Sequence, residues 1–255
     1  MNKPIGVFDS GAGGISVLRQ ARARLPQEHF LFYGDDANAP YGDKPPDTIR
    51  QLTVAVMEHL MAQGVKAVLV ACNTATALAV DLLRARFPVP VVAMEPAVKP
   101  ALAVRPGGRV LVMATRATVD SPRFHELVYN RMHADDRVEL LACPGFVELV
   151  ESGQIDGARA QAVVDRCTEG VAAPDAIVLG CTHYPFLKPL IRHRFPGVPF
   201  FDGIAGTVEQ LARQLARYEL ANTQGEGSVT LTTSGDAERV LPLYRRLLEL
   251  PGVEA

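Results

Sequence analysis

Two short stretches of the sequence share one pattern: Val68-Leu69-Val70-Ala71-Cys72-Asn73-Thr74 and Ile177-Val178-Leu179-Gly180-Cys181-Thr182-His183. In each, an apolar run typical of a buried strand ends on a small residue and a cysteine, and polar residues then begin a predicted helix. Open α/β sheets bind ligands where strands end and helices begin, and a helix N-terminus favours a nearby anion such as a thiolate. The repetition predicts two related units whose cysteines share one site.

Strand and helix patterns alternate along the whole chain. The predicted strands are Ile5–Phe8, Phe30–Tyr33, Val65–Ala71, Val89–Ala93, Arg109–Met113, Val138–Ala142, Ala176–Leu179, Val198–Phe201 and Val229–Thr232. Longer segments with helical spacing lie between them, such as Thr48–Gln63, for which Asp47 is the expected N-cap. Such alternation predicts an α/β fold built from parallel sheets with right-handed crossovers.

The two cysteine units indicate an internal duplication, because each is followed by a Phe-Pro turn that leads into a short strand. Proline and glycine are concentrated between Glu95 and Gly108, and a second break follows Asp202-Gly203. We place the chain crossings there. Residues 1–95 and 206–255 are then expected to form the first α/β domain and residues 96–205 the second.

The composition excludes several classes of protein. With 48% hydrophobic and 21% charged residues, the chain is neither disordered nor fibrous. A net charge of -2 gives no reason to expect nucleic acid, and the most apolar windows are too short and too polar to span a membrane. No export signal is visible, so we expect a cytoplasmic protein. The four cysteines form no Cys-x-x-Cys pair, which favours reduced thiols over disulfides or a zinc site.

Some residues allow two interpretations from the sequence alone. The run from Asp9 to Gly14 lacks a P-loop ending, and Ser16 stands where a dinucleotide-binding motif requires glycine, so it forms either a ligand-facing loop or a helix cap with a flexible turn. His183 either exchanges a proton with the nearby thiol or is a buried structural histidine. Glu151 lies near the end of a predicted short apolar helix, and its local sequence alone indicates a solvated surface charge.

Four blocks of sequence, taken together and in this order, resemble the glutamate racemase family. They are Phe8-Asp9-Ser10-Gly11 with Gly13-Gly14, Pro40-Tyr41-Gly42, Ala71-Cys72-Asn73-Thr74-Ala75 and Gly180-Cys181-Thr182-His183-Tyr184-Pro185. The resemblance implies two similar parallel-sheet domains related by pseudo-two-fold symmetry, with the active site in the cleft between them. It also implies an isomerase that racemises L-glutamate to D-glutamate for peptidoglycan without a cofactor or metal.

Carried over by position, the resemblance implies that Cys72 and Cys181 are the catalytic thiols, one on each face of the substrate α-carbon. Asp9, His183 and Glu151 are similar to the family's auxiliary catalytic groups. The implied substrate-binding positions are Asp9, Ser10, Pro40, Tyr41, Gly42, Cys72, Asn73, Thr74, Cys181, Thr182 and His183. The sequence departs from the family pattern at Asp36, Asn38 and Glu148, where threonine, arginine and proline are usual.

Racemisation requires two bases, because a single base tends to return its proton to the face of the α-carbon from which it came. No lysine lies in the four blocks, so no pyridoxal phosphate lysine is apparent. The expected partner is glutamate, and a homodimer is the assembly to test. The alternatives are a racemase for aspartate or a hydantoin, a thiol hydrolase that uses Cys181, His183 and Asp9, and a non-catalytic amino-acid sensor.

Overall fold

Strands and helices alternate from residue 5 to residue 248. The structure is a computed structural model that describes residues 3–130, 132 and 134–251. Its strands are β1 (Ile5–Asp9), β2 (His29–Gly34), β3 (Ala67–Val70), β4 (Val91–Ala93), β5 (Arg109–Ala114), β6 (Arg137–Ala142), β7 (Ala176–Leu179), β8 (Phe200–Asp202) and β9 (Ser228–Thr233). All nine predicted strands are confirmed, with ends that differ by a few residues.

The α-helices pack on both faces of these strands. They are α1 (Ile15–Arg24), α2 (Pro46–Ala62), α3 (Asn73–Arg86), α4 (Val98–Leu102), α5 (Arg116–Val119), α6 (Pro122–Tyr129), α7 (Phe146–Glu151), α8 (Gly157–Cys167), α9 (Lys188–Arg194), α10 (Ile204–Arg217) and α11 (Ala237–Leu248). Short 3-10 helices cover Ala12–Gly14, Asp36–Asn38, Tyr41–Asp43 and Tyr184–Leu187. Within the described ranges, none of the helices has the length and apolar character needed to cross a bilayer.

The strands form two parallel sheets with matching topology. The first sheet has the order β4-β3-β1-β2-β9, and the second, read in the equivalent direction, has the order β8-β7-β5-β6. Thus β1 corresponds to β5 and β3 to β7, while β9 is an additional edge strand. The α/β fold class with two similar parallel sheets is confirmed. The domain boundaries at 95/96 and 205/206 stay a prediction, although β9, from beyond the second boundary, pairs with β2.

The central strands are apolar because both of their faces are covered. Every residue of β3 and β7 is buried, as expected for parallel strands between two layers of helices. One continuous cluster of buried side chains includes Val7 and Leu69 from the first sheet and Met113 and Leu179 from the second. This shared core holds the two sheets together, so the loops at the carboxyl ends of β1, β3, β5 and β7 approach one another.

Two predicted helix starts are wrong. Helix α2 begins at Pro46 instead of Thr48, because the fixed φ and missing N–H of proline suit the first helical position. Asp47 therefore lies in the first turn and pairs with Arg50 at 2.5 Å instead of acting as the N-cap.

The second correction concerns the chain after β7. Helix α3 begins directly after Cys72, as predicted, but Thr182 and His183 lie in a turn, and α9 begins only at Lys188. An α-helix that began at Thr182 would place Pro189 in its interior, where the ring and the missing N–H break a helix. With the observed start, Pro189 falls in the first turn of α9, where it is tolerated.

Candidate active site

The carboxyl ends of strands from both sheets surround one small cavity. Its lining residues are Asp9, Ser10, Pro40, Tyr41, Gly42, Cys72, Asn73, Thr74, Thr115, Val147, Cys181, Thr182 and His183. Every position for which the sequence predicted substrate contact lies in this lining. The cavity volume is about 10 Å³, close to the space that one water molecule needs, so a larger ligand requires the surrounding loops to separate.

Sequence reasoning missed two of the lining residues, Thr115 and Val147. Thr115 directly follows β5, just as Ser10 directly follows β1, the corresponding strand of the first sheet. Val147 lies after β6, the counterpart of the strand that precedes the Pro40–Gly42 loop. The internal duplication was therefore the signal that could have located both residues.

Cys72 begins a short chain of hydrogen bonds that ends on a buried carboxylate. The Cys72 thiol donates to Ser10 Oγ at 3.6 Å, and Ser10 Oγ donates to Asp9 Oδ1 at 3.1 Å. Cys72 is also the N-cap of α3, where the Ala75 amide donates to its sulfur at 3.5 Å. Burial, followed by the negative charge of Asp9, raises the pKa of the Cys72 thiol despite these donors.

Asp9 is fully buried at the end of β1. Burial raises its pKa from 3.8 to about 6, although nearby His183 and the Thr182 hydroxyl, which donates to Asp9 Oδ2 at 2.7 Å, oppose that rise. A carboxyl group with a pKa near 6 can accept and release protons close to neutral pH.

Cys181 faces an imidazole instead of a hydroxyl. Its sulfur lies 3.6 Å from His183 Nδ1, and His183 Nε2 lies 2.6 Å from Glu151 Oε1. Burial alone would lower the pKa of His183, but hydrogen bonds with Cys181 and Glu151 outweigh it and hold that pKa well above its ordinary value. A positively charged imidazole in this position is suited to stabilising negative charge on a sulfur beside it.

Glu151 is not the solvated surface charge that its sequence context alone indicated. Its side chain is 22% exposed, and besides His183 it accepts a hydrogen bond from the Ala12 amide at 2.8 Å. Glu151 does not line the cavity, and its direct contact with a lining residue is the one with His183. The structure therefore places Glu151 behind His183, and its catalytic role stays a prediction.

The glycines after β1 make room for this pair of side chains. A Cβ atom at Gly11 would lie 2.1 Å from Glu151 Oε1, and one at Gly13 would lie 2.3 Å from His183 Nδ1. Both distances are far below van der Waals contact. Of the two interpretations left open by the sequence, a ligand-facing loop or a helix cap, the structure agrees with the first, because Asp9 and Ser10 line the cavity and the glycines allow Glu151 and His183 to approach.

Polar side chains from both sheets cover the remaining wall. Thr74 Oγ1 lies 2.9 Å from Thr115 Oγ1, which joins the start of α3 to the end of β5. Asn73 is buried, and within the described part of the chain neither polar atom of its side-chain amide has a hydrogen-bond partner. Unsatisfied buried amides are costly, so Asn73 is suited to binding a polar ligand.

The thiol-hydrolase alternative needs Asp9 to orient His183, and the hydrogen bonds do not place it there. Asp9 bonds to Ser10 and Thr182, whereas the carboxylate on His183 is that of Glu151. A hydrolase with the predicted set of three residues is therefore not supported.

Comparison with known proteins agrees with this arrangement. The sequence profile described as Asp/Glu/Hydantoin racemase matches residues 15–211. The chain is 44% identical over 253 residues to a glutamate racemase of Clostridium acetobutylicum, covering 98% of both sequences.

Two crystal structures extend the similarity to three dimensions. A Thermus thermophilus glutamate racemase in complex with β-chloro-D-alanine superposes with a TM-score of 0.82 at 39% identity, covering 97% of this chain and 94% of that one. A Francisella tularensis glutamate racemase in complex with D-glutamate has a TM-score of 0.84 at 29% identity, with the same coverage. Sequence profile, full-length identity and fold agree: the chain belongs to the Asp/Glu/hydantoin racemase family and, within it, to the glutamate racemases, which are amino-acid isomerases.

Proposed function

We propose that this chain interconverts L- and D-glutamate by proton transfer between the substrate α-carbon and two thiols, without a cofactor. The observation that carries the proposal is the placement of Cys72 and Cys181. The two residues follow β3 and β7, which are equivalent strands of the two sheets, and both line the same cavity. From the pseudo-two-fold relation between the sheets, we infer that the sulfurs approach a common centre from opposite sides.

The chemistry requires two bases because the configuration inverts. One cysteine, as a thiolate, removes the α-proton, so that an S–H bond forms and the C–H electron pair remains on the α-carbon. The other cysteine, as a thiol, donates its proton to the opposite face. The two residues exchange roles when the substrate has the other hand.

Each thiol has its own route for proton exchange. Cys72 is linked through Ser10 to Asp9, and Cys181 contacts His183, which is backed by Glu151. We assign Asp9, His183 and Glu151 to the control of thiol protonation. Both routes end on a carboxylate, so each sulfur can regain its reactive form after a proton has been transferred.

The carbanion needs stabilisation at the substrate carboxylate. Asn73 supplies a side-chain amide donor at the cavity, the hydroxyls of Thr74 and Thr182 lie beside it, and the N-terminus of α3 adds backbone amides. No lysine occurs among the described residues of the lining, whereas Schiff-base chemistry needs one. Hydrogen-bond donors of the protein are therefore assigned the stabilising role.

Tyr41 contributes to this site by its position rather than by its hydroxyl group. The phenol donates a hydrogen bond to Asp35 Oδ2 at 2.6 Å and is therefore already occupied. Backbone groups of Tyr41 and Gly42 remain to contact the substrate. We assign the Pro40–Gly42 loop, with Ser10, to substrate binding.

Glutamate is the proposed substrate because the Francisella relative is described in complex with D-glutamate. D-glutamate is the product expected for peptidoglycan synthesis, which is consistent with the predicted cytoplasmic location. A homodimer stays a prediction. The nearly closed cavity also requires the cleft to open for substrate entry and product release.

Incubation with L-glutamate in heavy water tests the proposal. We expect D-glutamate that carries deuterium at the α-carbon, while L-glutamate recovered early in the reaction keeps its protium. Parallel incubations with aspartate and a hydantoin measure substrate preference. A hydrolase or a non-catalytic sensor would incorporate no deuterium, and faster turnover of aspartate would assign the chain to a different substrate.

A further inference from the structure

Two adjacent aspartates connect the substrate loop to the C-terminal part of the chain. Asp35 and Asp36 directly follow β2 and precede the Pro40–Gly42 loop. Their carboxylates accept hydrogen bonds from residues at the end of β9 and from α11, some 200 positions later in the sequence. Asp36 is one of the departures from the family pattern, so its contacts are not evident from the resemblance.

Asp36 binds two hydroxyl groups. Thr233 Oγ1 donates to Asp36 Oδ2 at 2.5 Å, and the Tyr244 hydroxyl donates to the same oxygen. Tyr244 is fully buried and packs edge-on against Phe32, with 5.1 Å between ring centroids. This packing fixes the position of its hydroxyl group. Asp36 is therefore held by groups whose positions are set by the core of the first sheet.

The space for the Tyr244 hydroxyl is provided by Gly34. A Cβ atom at Gly34, the last residue of β2, would lie 1.8 Å from the Tyr244 oxygen. Any larger residue would displace the tyrosine from Asp36. The contact between Tyr244 of α11 and Asp36 therefore depends on the absence of a side chain at Gly34.

Asp35 provides a second, separate link between the end of β9 and the substrate loop. Ser234 Oγ donates to Asp35 Oδ1 at 2.7 Å, and Tyr41 donates to Asp35 Oδ2 at 2.6 Å. The Ser234 amide also donates to the Gly34 carbonyl at 2.9 Å. An unbroken series of hydrogen bonds therefore runs from the end of β9 to Tyr41 in the cavity wall.

We propose that Thr233, Ser234 and Tyr244 are positioning residues that hold the Pro40–Gly42 loop in its substrate-binding arrangement through Asp35 and Asp36. The proposal rests on the proposed function, because it requires that loop to contact glutamate. The C-terminal β9–α11 unit, which contributes no residue to the cavity lining, then controls substrate affinity from a distance.

The structure offers a matched control one residue away. Thr232, on the same strand, donates from Oγ1 to the Phe32 carbonyl at 2.6 Å and not to either aspartate. Thr233→Val and Thr232→Val therefore each remove one threonine hydroxyl from β9. Only the first removes a donor to Asp36.

We expect Thr233→Val to raise the KM for glutamate about tenfold, because a hydrogen bond to a charged group is lost, and to leave kcat within about twofold. Thr233→Ser keeps the hydroxyl and should restore the KM. Tyr244→Phe should raise the KM in the same direction as Thr233→Val. Thr232→Val should leave the KM unchanged, even if its melting temperature falls as far as that of Thr233→Val.

Equal KM values for Thr233→Val and Thr232→Val, with Tyr244→Phe also like the wild type, would overturn the positioning proposal. So would a failure of Thr233→Ser to restore the KM. The wild-type protein is assayed alongside by deuterium incorporation into glutamate. Absence of incorporation there would overturn the proposed function itself, so the two failures are distinguishable.

Discussion

Cys72 and Cys181 follow equivalent strands of two similar sheets, yet their surroundings differ. Cys72 caps α3 and contacts an amide, a hydroxyl and, through that hydroxyl, the buried Asp9 carboxylate. Cys181 precedes a turn instead of an α-helix and faces His183. The backbone is pseudo-symmetric, whereas the groups in hydrogen-bond contact with the two sulfurs are not.

The difference shows that topology and local sequence set separate properties of the site. Topology places the two sulfurs, because both follow the same strand of a duplicated unit. Local sequence sets their partners. The later start of α9 leaves His183 in a turn from which its ring reaches back to Cys181.

Chemical asymmetry does not have to produce kinetic asymmetry. The two enantiomers of glutamate have the same free energy in water, so kcat/KM must be equal in the two directions whichever group serves each thiol. A defect on either side therefore lowers both directions together. The two sides can be distinguished only by partial reactions or by pH dependence.

The largest effect is expected when either thiol is removed. Cys72→Ala and Cys181→Ala should each lower racemisation by about a thousandfold or more, because each removes one of the two proton-transfer groups. Both variants should stay folded. Circular dichroism follows the interconversion of L- and D-glutamate and also the fold, and normal turnover by either variant would end the two-base interpretation.

A partial reaction can show which face of the substrate each thiol serves. Cys72→Ser and Cys181→Ser should still eliminate chloride from β-chloroalanine, but each from one hand only, because the remaining thiol reaches one face of the α-carbon. We expect a preference of about a hundredfold, opposite in the two variants. Release of pyruvate measures the elimination, and equal reaction of both hands would contradict opposed faces.

The pH dependence should separate the two proton routes. The pKa of Asp9 is raised to about 6, so its carboxylate is protonated as the pH falls through 6 instead of near 3.8. Protonated Asp9 no longer accepts a proton from Cys72 through Ser10. Wild-type kcat/KM should therefore fall about tenfold per pH unit below pH 6.

The matched variants for this test are Asp9→Asn and Glu151→Gln. Asp9→Asn should be about ten- to a hundredfold slower and should lose the acidic fall, since it has no carboxyl group to titrate. Glu151→Gln, which changes the other route, should be slower but keep the fall. The opposite pattern would assign the ionisation near pH 6 to the His183 side.

The sequence was sufficient for the strands and for the positions of the two thiols. Apolar runs such as β3 and β7 are recognisable because both faces of a central parallel strand are buried. Resemblance added the polar lining residues. The placement of Glu151 depends on contacts with His183 and, across 139 positions, with Ala12, which no local pattern reveals.

Other features of the structure were not predicted, for identifiable physical reasons. The delayed start of α9 follows from Pro185 and Pro189, whose spacing the predicted helix did not take into account. Thr115 lacks a cysteine or a glycine-rich motif beside it, so only comparison of β5 with β1 would have indicated it. The bonds from Thr233 and Tyr244 to Asp36 depend on how β9 and α11 return to the first sheet.

The smallest effect is expected for a third cysteine, which tests whether a strand end alone makes a thiol reactive. Cys143 is buried directly after β6, but β6 corresponds to β2 rather than to β3, and the residue does not line the cavity. Its thiol donates to the Leu141 carbonyl at 3.5 Å. Cys143→Ala should therefore keep turnover within about threefold and lower the free energy of unfolding by about 1 kcal/mol. Glutamate turnover and urea denaturation measure the two quantities. A thousandfold loss of turnover in a folded Cys143→Ala variant would contradict the prediction. It would show that a position after β3 or β7 is not what distinguishes the catalytic thiols.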